Sequence, residues 1–370
     1  MPAFRVGILG ATGAVGQKFI RLLQDHPWFT ITALGASERS AGQAFQDATV
    51  WREPTSLSDN IASMVVRACV PEEFTDVDFV FSGLDSGVAG QVEPAFAAAR
   101  ISVISNAKNF RMHPDVPLVI PEVNPAHLDW VKRQSWTGDL YESKESANDS
   151  AGSSEAQKGF IVTNPNCVAI PLTMSLKPLY DAFGVKEVTV TSMQAISGAG
   201  YPGVPSMDIM GNLVPYIPDE ESKIVEEPLK MLGVSAGSGN EFPIYPTAVR
   251  VPVLEGHTLA MVVKLDRGGV TEEMVRTVLS EYSSPVADSD LPSAVDPAII
   301  VHTDPFSPRP RQHADQASGM ATHVGRIRCT ETDKGTIVSY ITMAHNTIRG
   351  AAGAAILNAE LLASKGFFSS

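Results

Sequence analysis

The chain has 370 residues, of which 44% are hydrophobic, and a formal net charge of −13 at pH 7. A single hydrophobic core stops growing at roughly 250 to 300 residues, so this length predicts two domains. The acidic balance leaves no basic surface for a polyanion, which argues against nucleic acids and anionic membranes as partners.

Short buried strands alternate with helical segments in the first half of the chain. Apolar residues 4–9 predict a strand, and apolar residues then recur with helical spacing from Val15 to Leu23. Further strands are predicted at residues 29–34, 77–81, 101–104 and 118–120. This order is typical of a parallel doubly wound sheet, so we predict an α/β fold whose N-terminal domain, residues 1–166, is Rossmann-like.

A glycine-rich turn lies directly between the first strand and its helix. Glycines let the backbone approach a pyrophosphate there, and a helix N-terminus presents free N–H groups to it. The spacing GxxGxxG differs from the usual dinucleotide motif, and a tight turn without a ligand is the alternative. Because strand, turn and helix coincide, we predict that a dinucleotide binds to Gly10, Thr12, Gly13, Ala14, Val15 and Gly16.

The residues after the second predicted strand favour NADP. They read Ala-Ser-Glu-Arg-Ser, at the place where an acidic residue would bond a ribose hydroxyl of NAD. Arg39 between two hydroxyls suits a 2′-phosphate, whereas Glu38 would repel it and favour NAD; a solvated loop is the third interpretation. We predict that Ser37, Arg39 and Ser40 recognise the NADP phosphate.

The composition changes beyond the predicted Rossmann-like domain. Residues 133–158 are rich in Ser, Glu, Asp, Lys and Gly, which predicts a solvated insertion. A helix is then predicted at 168–183, followed by long strands at 187–193, 258–265, 326–330 and 336–343. These indicate a second, α+β domain over residues 167–345 with an antiparallel-rich sheet. The Ala-rich segment 346–370 predicts a C-terminal helix that returns to the first domain.

Three cysteines occur, Cys69, Cys167 and Cys329, without a CxxC pair or a histidine in metal-ligand spacing. This argues for a reducing compartment and against a metal, and no apolar run approaches the roughly 20 residues of a membrane helix, so we expect a cytoplasmic protein. Cys167 stands at the start of a predicted helix, where a thiol pKa is lowered. We predict that Cys167 is a nucleophile; the alternative is a buried small hydrophobe.

A nucleophilic cysteine needs a base, and His257 is the best candidate among eight histidines. Gly256 lets the backbone approach closely, and Arg250 precedes the histidine in the chain. Considered alone, such a histidine is more often a hydrogen-bonded structural residue than a catalyst.

Taken together, these motifs resemble aspartate-semialdehyde dehydrogenase over nearly the whole chain, and most closely its fungal and archaeal branch. The similar motifs are the glycine turn and the segments Ser105–Arg111, Asn164–Cys167, Gln194–Gly200, Glu220–Lys223 and Arg250–His257. The resemblance implies reversible conversion of L-aspartate 4-semialdehyde, phosphate and NADP to L-4-aspartyl phosphate and NADPH through a thioester on the cysteine. Lysine, threonine, methionine and isoleucine biosynthesis would use that reaction.

The resemblance also implies roles for other side chains in the substrate site. His257 would be the acid/base, and Asn166 and Gln194 would position the thiol and the acyl group. Arg250 would bind the substrate α-carboxylate, because its forked guanidinium matches a carboxylate, and Glu220 would meet the α-ammonium group.

Phosphate and cofactor contacts are implied in the same way. Arg111 and Lys223 would clamp the phosphate oxygens. Further cofactor contacts would be Ser82, Leu84, Ser86, Gly198 and Asn346. In the family the second domain is catalytic and usually provides a dimer interface, so the resemblance implies a homodimer or homotetramer.

Three alternatives remain open from the residues. Malonyl-CoA reductase and N-acetylglutamyl-phosphate reductase share the architecture and keep both a cysteine and a glycine turn. A non-catalytic dinucleotide sensor, in which Cys167 is only a buried thiol, belongs to a different class of protein.

Overall fold

The computed structural model describes residues 4–137, 140–141, 158–234, 237 and 239–368. The chain divides into two compact units: the first is Met1–Val119, Ala126–Asn164 and Ala355–Ser370, and the second is Ile120–Pro125 and Pro165–Ala354. Most of the predicted insertion at 133–158 lies outside the described residues. Among the helices of the described part, none is long and apolar enough to cross a membrane.

A parallel sheet forms the first unit. Its strands are β1 Phe4–Leu9, β2 Phe29–Ala36, β3 Val66–Ala68, β4 Phe79–Ser82, β5 Ser102–Ser105 and β8 Ile161–Thr163, and a separate antiparallel pair is β6 Trp136–Thr137 with β7 Leu140–Tyr141. The six-stranded order β3-β2-β1-β4-β5-β8 confirms the predicted doubly wound sheet. The helices are α1 Ala14–Leu23, α2 Phe45–Ala48, α3 Asp59–Ala62 and α4 Ser86–Ala98, with 3-10 turns at Pro71–Glu73 and Pro125–Arg133.

Aromatic side chains form part of the core of the first unit, together with aliphatic ones. Phe29 of β2 and Phe79 of β4 are buried against each other, and Phe368 from the C-terminal segment stacks on Phe79 with ring centroids 4.1 Å apart. The predicted strand at 118–120 is wrong, because this buried stretch makes only one bridge, from Leu118 to Thr163. Prolines at both ends of the stretch remove the N–H donors that a longer ladder needs.

A mixed sheet forms the second unit. Its strands are β9 Val185–Gln194, β10 Ile244–Arg250, β11 His257–Leu265, β12 Ile299–Val301, β13 Thr322–Thr332 and β14 Gly335–Ala344, in the order β10-β9-β11-β14-β13-β12. The three central pairings are antiparallel, which confirms the antiparallel-rich prediction, and both edge strands run parallel to their neighbours. Strand β10 was not predicted; its internal Pro246 is tolerated because β10 is an edge strand of the sheet.

The remaining helices follow in chain order. They are α5 Ala169–Phe183, α6 Ser206–Ile209, α7 Glu220–Met231, α8 Glu272–Ser280, α9 Pro310–His313 and α10 Gly353–Ser364, with 3-10 turns at Ile196–Ala199 and Gln316–Gly319. A π-helical turn, Ile348–Ala352, precedes α10 where one continuous helix was predicted.

Strand register brings three predicted residues together. Gln194 ends β9 and pairs with Arg250, which ends β10, and His257 begins the antiparallel β11 beside β9. Because β9 and β11 run in opposite directions, the end of one strand and the start of the other lie at the same edge of the sheet.

Candidate active site

Cys167 lies in a tight turn immediately before α5 and is half-buried. The side-chain oxygen of Asn166 accepts hydrogen bonds from the backbone N–H groups of Val168 and Ala169, at 2.8 and 3.2 Å. These are among the N–H groups that a helix leaves without an internal acceptor at its start, so Asn166 caps α5. Cys167 therefore lies between the hydrogen-bonded Asn166 and the N-terminus of α5, which carries a partial positive charge.

Glu220, the first residue of α7, joins three predicted site residues. Its buried carboxylate accepts hydrogen bonds from Asn166 Nδ2 at 3.0 Å and Gln194 Nε2 at 3.1 Å on one oxygen, and from Lys223 Nζ at 2.8 Å on the other. An oxygen with two donors has both lone-pair directions occupied. Glu220 therefore orients the two amides, and its predicted contact with the substrate ammonium group stays a prediction.

Ala195 ties Arg250 to His257 through its backbone. Its carbonyl accepts a hydrogen bond from Arg250 Nη1 at 2.9 Å, and its N–H donates to His257 Nδ1 at 3.0 Å. Because Nδ1 is an acceptor, the neutral imidazole carries its proton on Nε2. That Nε2 is buried and has no hydrogen-bond partner among the described residues, so it is available to a bound group.

Burial sets the charge state of these two side chains. It lowers the pKa of His257 to about 3, with further lowering by Arg250 and His345, so the imidazole is neutral at physiological pH. Burial also lowers the pKa of Arg250, and the negative charges of Cys167 and Glu220 oppose that shift. The guanidinium and the Cys167 sulfur are thus electrostatic neighbours.

Gly198 lies against both side chains. A Cβ built on Gly198 would be 2.8 Å from His257 Cε1 and 2.9 Å from Arg250 Nη1, closer than real Cβ contacts. The imidazole and guanidinium therefore pack directly on the Gly198 backbone, where no larger residue fits. Its predicted contact with the cofactor stays a prediction.

Asn346 bridges two loops of the second unit. Its Oδ1 accepts from the Gly256 N–H and its Nδ2 donates to Ser197 Oγ, both at 2.8 Å. The side chain thus stabilises the segments that lead into β11 and out of β9.

Glu227 was not among the predicted site residues. Its carboxylate accepts a hydrogen bond from the Asn166 N–H at 2.6 Å. The only signal in the sequence is an acidic residue on the buried side of α7.

The glycine turn of the first unit has the geometry of a phosphate-binding loop. Gly10 has φ +74°, and a Cβ there would lie 2.7 Å from the Gly83 carbonyl oxygen. Helix α1 starts after the exposed Gly13, which provides no side-chain cap. Open N–H groups at the helix start suit a pyrophosphate. The glycines therefore fit a dinucleotide.

The predicted 2′-phosphate residues follow the neighbouring strand. Ser37 and Arg39 are exposed in a turn directly after β2, and Ser40 is half-buried there. Since β1 and β2 are parallel neighbours, this turn and the glycine turn lie at the same edge of the sheet. The residues present suit an anionic nucleotide.

The other predicted residues of the first unit differ in accessibility. Ser82 is buried and its hydroxyl donates inward to Glu93, whereas Ser86 is exposed at the start of α4 and Leu84 is half-buried. Arg111 is buried and its Nη2 donates to the Asn106 carbonyl at 2.7 Å. The predicted roles of these residues stay predictions.

Metal ligands are not gathered anywhere in the described part of the chain, where no group of three His, Cys, Asp or Glu side chains is placed to hold an ion. The acid, amide, guanidinium and imidazole groups of the second unit are instead linked by hydrogen bonds, and Arg250 interacts electrostatically with the Cys167 thiol. Such a set can perform nucleophilic acyl chemistry.

Two family models match the chain. The model of the semialdehyde dehydrogenase NAD-binding domain matches residues 5–131, and the model of the semialdehyde dehydrogenase dimerisation domain matches residues 176–349.

Curated relatives are similar over nearly the full length. Aspartate-semialdehyde dehydrogenase of Schizosaccharomyces pombe is 44% identical over 370 residues, with 98% of each chain covered. The protein of the same name from Archaeoglobus fulgidus is 46% identical, with coverage of 97% of this chain and 98% of the relative.

Solved structures are similar as well. The crystal structure of aspartate semialdehyde dehydrogenase with NADP from Candida albicans has a TM-score of 0.86 at 40% identity, with 99% of each chain covered. Aspartate semialdehyde dehydrogenase II of Vibrio cholerae, complexed with ASA, has a TM-score of 0.75 at 26% identity, with coverage of 99% of this chain and all of that one.

Proposed function

The chain belongs to the aspartate-semialdehyde dehydrogenase family, and from that premise we propose that it interconverts L-aspartate 4-semialdehyde and L-4-aspartyl phosphate with NADP, through a thioester on Cys167. The observation that carries the proposal is the hydrogen-bonded cluster beside this thiol. Asn166 and Gln194 share Glu220, and Arg250 and His257 share Ala195. By analogy with the family, we propose that the reaction serves lysine, threonine, methionine and isoleucine biosynthesis and takes place in the cytoplasm.

The acyl transfer takes place at the Cys167 sulfur. In the biosynthetic direction the thiolate attacks the acyl carbon, a C–S bond forms, and the C–O bond to phosphate breaks so that phosphate leaves with the electron pair. Bound NADPH supplies the hydride that reduces the thioester. The hemithioacetal oxyanion then expels Cys167 as thiolate and the aldehyde is released. The helix start and the nearby Arg250 stabilise the thiolate.

His257 acts on the oxygen of the reacting carbonyl. Its Nε2 carries the proton of a neutral imidazole and is directed into the site without a partner in the described part of the chain. A neutral imidazole with a pKa of about 3 donates a hydrogen bond to a developing oxyanion more readily than it takes up a proton. We propose this hydrogen-bond role for His257, and the acid/base role expected from the sequence stays a prediction.

Substrate charges explain the cations of the site. The Arg250 guanidinium presents paired donors for the α-carboxylate, a geometry that lysine lacks. Lys223, with Arg111, suits the oxygens of the phosphate group. Glu220 contributes chiefly by holding Asn166 and Gln194.

The cofactor we propose is NADP, bound by the glycine turn and the Ser37–Ser40 turn. The exposed start of α1 fits the pyrophosphate, and Arg39 fits the 2′-phosphate. Ser82, Leu84, Ser86, Gly198 and Asn346 remain the further candidates for cofactor contacts. The Candida albicans relative was solved with NADP.

A homodimer or homotetramer is part of the proposal. Residues 176–349 match the dimerisation-domain model, and the second unit exposes large apolar side chains close together in sequence. Tyr201, Met207, Met210 and Tyr216 are 68% to 88% exposed, and such patches mark surfaces that associate.

The purified protein provides the test. We expect phosphate-dependent formation of NADPH from aspartate semialdehyde, and Cys167→Ser should lower turnover by at least about 1,000-fold because the nucleophile is lost. Cys329→Ser is the matched control, since Cys329 is a half-buried thiol of β13 whose pKa is raised by burial, and it should retain activity. Activity only with malonyl-CoA or N-acetylglutamyl phosphate would select one of the alternative reductases. Full turnover in Cys167→Ser would end the thioester proposal.

A further inference from the structure

A π-helical turn precedes α10 at Ile348–Ala352. The N–H of Gly350 bonds to the carbonyl of His345 at 2.9 Å, and the N–H of Ala352 bonds to that of Thr347 at 3.2 Å, each five residues back. π-turns are rare and occur mostly at functional sites, because the extra residue makes them less stable than an α-helix. A functional reason for this turn is therefore expected.

The turn packs directly on the proposed nucleophile. A Cβ built on Gly350 would lie 2.7 Å from Cys167 Cβ and 3.1 Å from Cys167 Cα. Real Cβ atoms do not approach that closely, so only a glycine backbone fits against the cysteine. The Gly350 backbone therefore packs against Cys167. Asn166, the residue before Cys167, is held separately by its hydrogen bonds to the start of α5.

A buried ion pair anchors the same turn. Arg349 is fully buried, and its Nη2 donates to Glu122 Oε2 at 2.9 Å while Nη1 and Oε1 are 2.8 Å apart. The Glu122 carbonyl in turn accepts from the Tyr282 hydroxyl at 2.6 Å. Buried ion pairs add little net stability relative to apolar residues, and their best-supported benefit is conformational specificity.

We propose that the Arg349–Glu122 pair and the π-turn set the position of Cys167, which makes Glu122, Arg349 and Gly350 positioning residues for the thiol. This inference rests on the proposed function, in which Cys167 attacks an acyl carbon. The pair locks the residue before Gly350, so the Gly350 backbone cannot move away from the cysteine. A displacement of about 1 Å at a reacting atom costs on the order of 100-fold in rate.

Two glycine substitutions in the second unit separate positioning from general crowding. Gly350→Ala places a methyl group against Cys167, whereas in Gly184→Ala, at the far end of α5, the added Cβ would meet Asp266 Cβ at 2.9 Å. Both variants should lower the melting temperature. We expect Gly350→Ala alone to lower kcat by about 100-fold, with little change in KM, and to change the rate at which iodoacetamide alkylates Cys167.

A third variant tests the ion pair itself. Glu122→Gln keeps the shape of the side chain but leaves the Arg349 charge uncompensated, so we expect a lower kcat and a changed alkylation rate in the folded protein. Alkylation of Cys167, located by mass spectrometry, needs no turnover and reports thiol placement even if Cys167→Ser proves the proposed function wrong. Equal effects of Gly350→Ala and Gly184→Ala on kcat and alkylation, or a wild-type alkylation rate in both Gly350→Ala and Glu122→Gln, would overturn the inference.

Discussion

Glu93 is a buried carboxyl group that the proposed chemistry does not use. One of its oxygens accepts hydrogen bonds from the Ser82 and Ser105 hydroxyls, at 2.7 and 2.6 Å, and the other has no partner among the described residues. Burial raises its pKa to about 7, while the two serine bonds and the Arg111 charge act in the opposite direction. The folded protein therefore holds a proton on Glu93 that the unfolded chain releases at lower pH.

This shift predicts a pH-dependent stability. Because the folded pKa lies above the unfolded value of 4.5, the contribution is fully present below about pH 4.5 and is lost as pH rises through about 7. The loss amounts to about 3 kcal/mol. Glu93→Gln keeps an oxygen for both serines and cannot ionise, so its melting temperature should fall less than that of the wild type between pH 5 and pH 8. Parallel melting curves for the two proteins would contradict the prediction.

At the scale of elements, the start of α5 combines stability with function. Asn166 provides the helix cap through Oδ1 and bonds Glu220 through Nδ2. Thr271 caps α8 in a comparable way, by accepting from the Met274 N–H at 3.3 Å, but it has no proposed role in the reaction. Thr271→Ala is therefore a control for the loss of a helix cap in Asn166→Ala.

Asn166→Ala and Thr271→Ala should each lower the free energy of unfolding by about 1 kcal/mol through loss of a helix cap. Asn166→Ala should lower it further, because the buried Glu220 carboxylate also loses a donor. Only Asn166→Ala should also lower kcat, since it releases the turn that carries Cys167. Asn166→Asp restores an acceptor for the helix but sets a carboxylate against Glu220, so it should recover stability better than turnover. Chemical denaturation and steady-state kinetics measure both effects; equal kcat losses in the two alanine variants would refute the assignment.

The elements also show where local patterns are informative. The helix predicted at 168–183 is found as Ala169–Phe183, because its apolar spacing is continuous and a turn precedes it. The predicted single helix at the C-terminus contains a π-turn instead. Alanine-rich sequence suits both forms, so the local pattern does not distinguish a π-turn from a continuous α-helix.

At the scale of the whole molecule, we propose that the glycine turn and the Ser37–Ser40 turn of the first unit bind the nucleotide phosphates, and that Cys167 of the second unit carries the acyl group. Arg39→Ala should weaken NADP binding by about 10- to 100-fold through loss of a charge-assisted hydrogen bond, and leave NAD binding unchanged.

Arg250→Lys should lower kcat/KM for aspartate semialdehyde without a change in NADP affinity, because the forked geometry of the guanidinium is lost. Calorimetry with NADP and NAD, together with kinetics, separates the two. Equal losses of NADP affinity in both variants would contradict the division.

The sequence by itself determined the features that are local in the chain. The strand, glycine turn and helix at residues 4–23, and a cysteine just before a helix, are readable because periodicity and turn residues are properties of neighbouring positions. Tertiary structure alone decided which side chains of the site contact each other. Glu220 accepts hydrogen bonds from two amides, the Ala195 backbone sets the His257 tautomer, and Gly350 packs on Cys167. Each of these contacts joins residues far apart in sequence, and no local pattern records which distant groups the fold brings within hydrogen-bond reach.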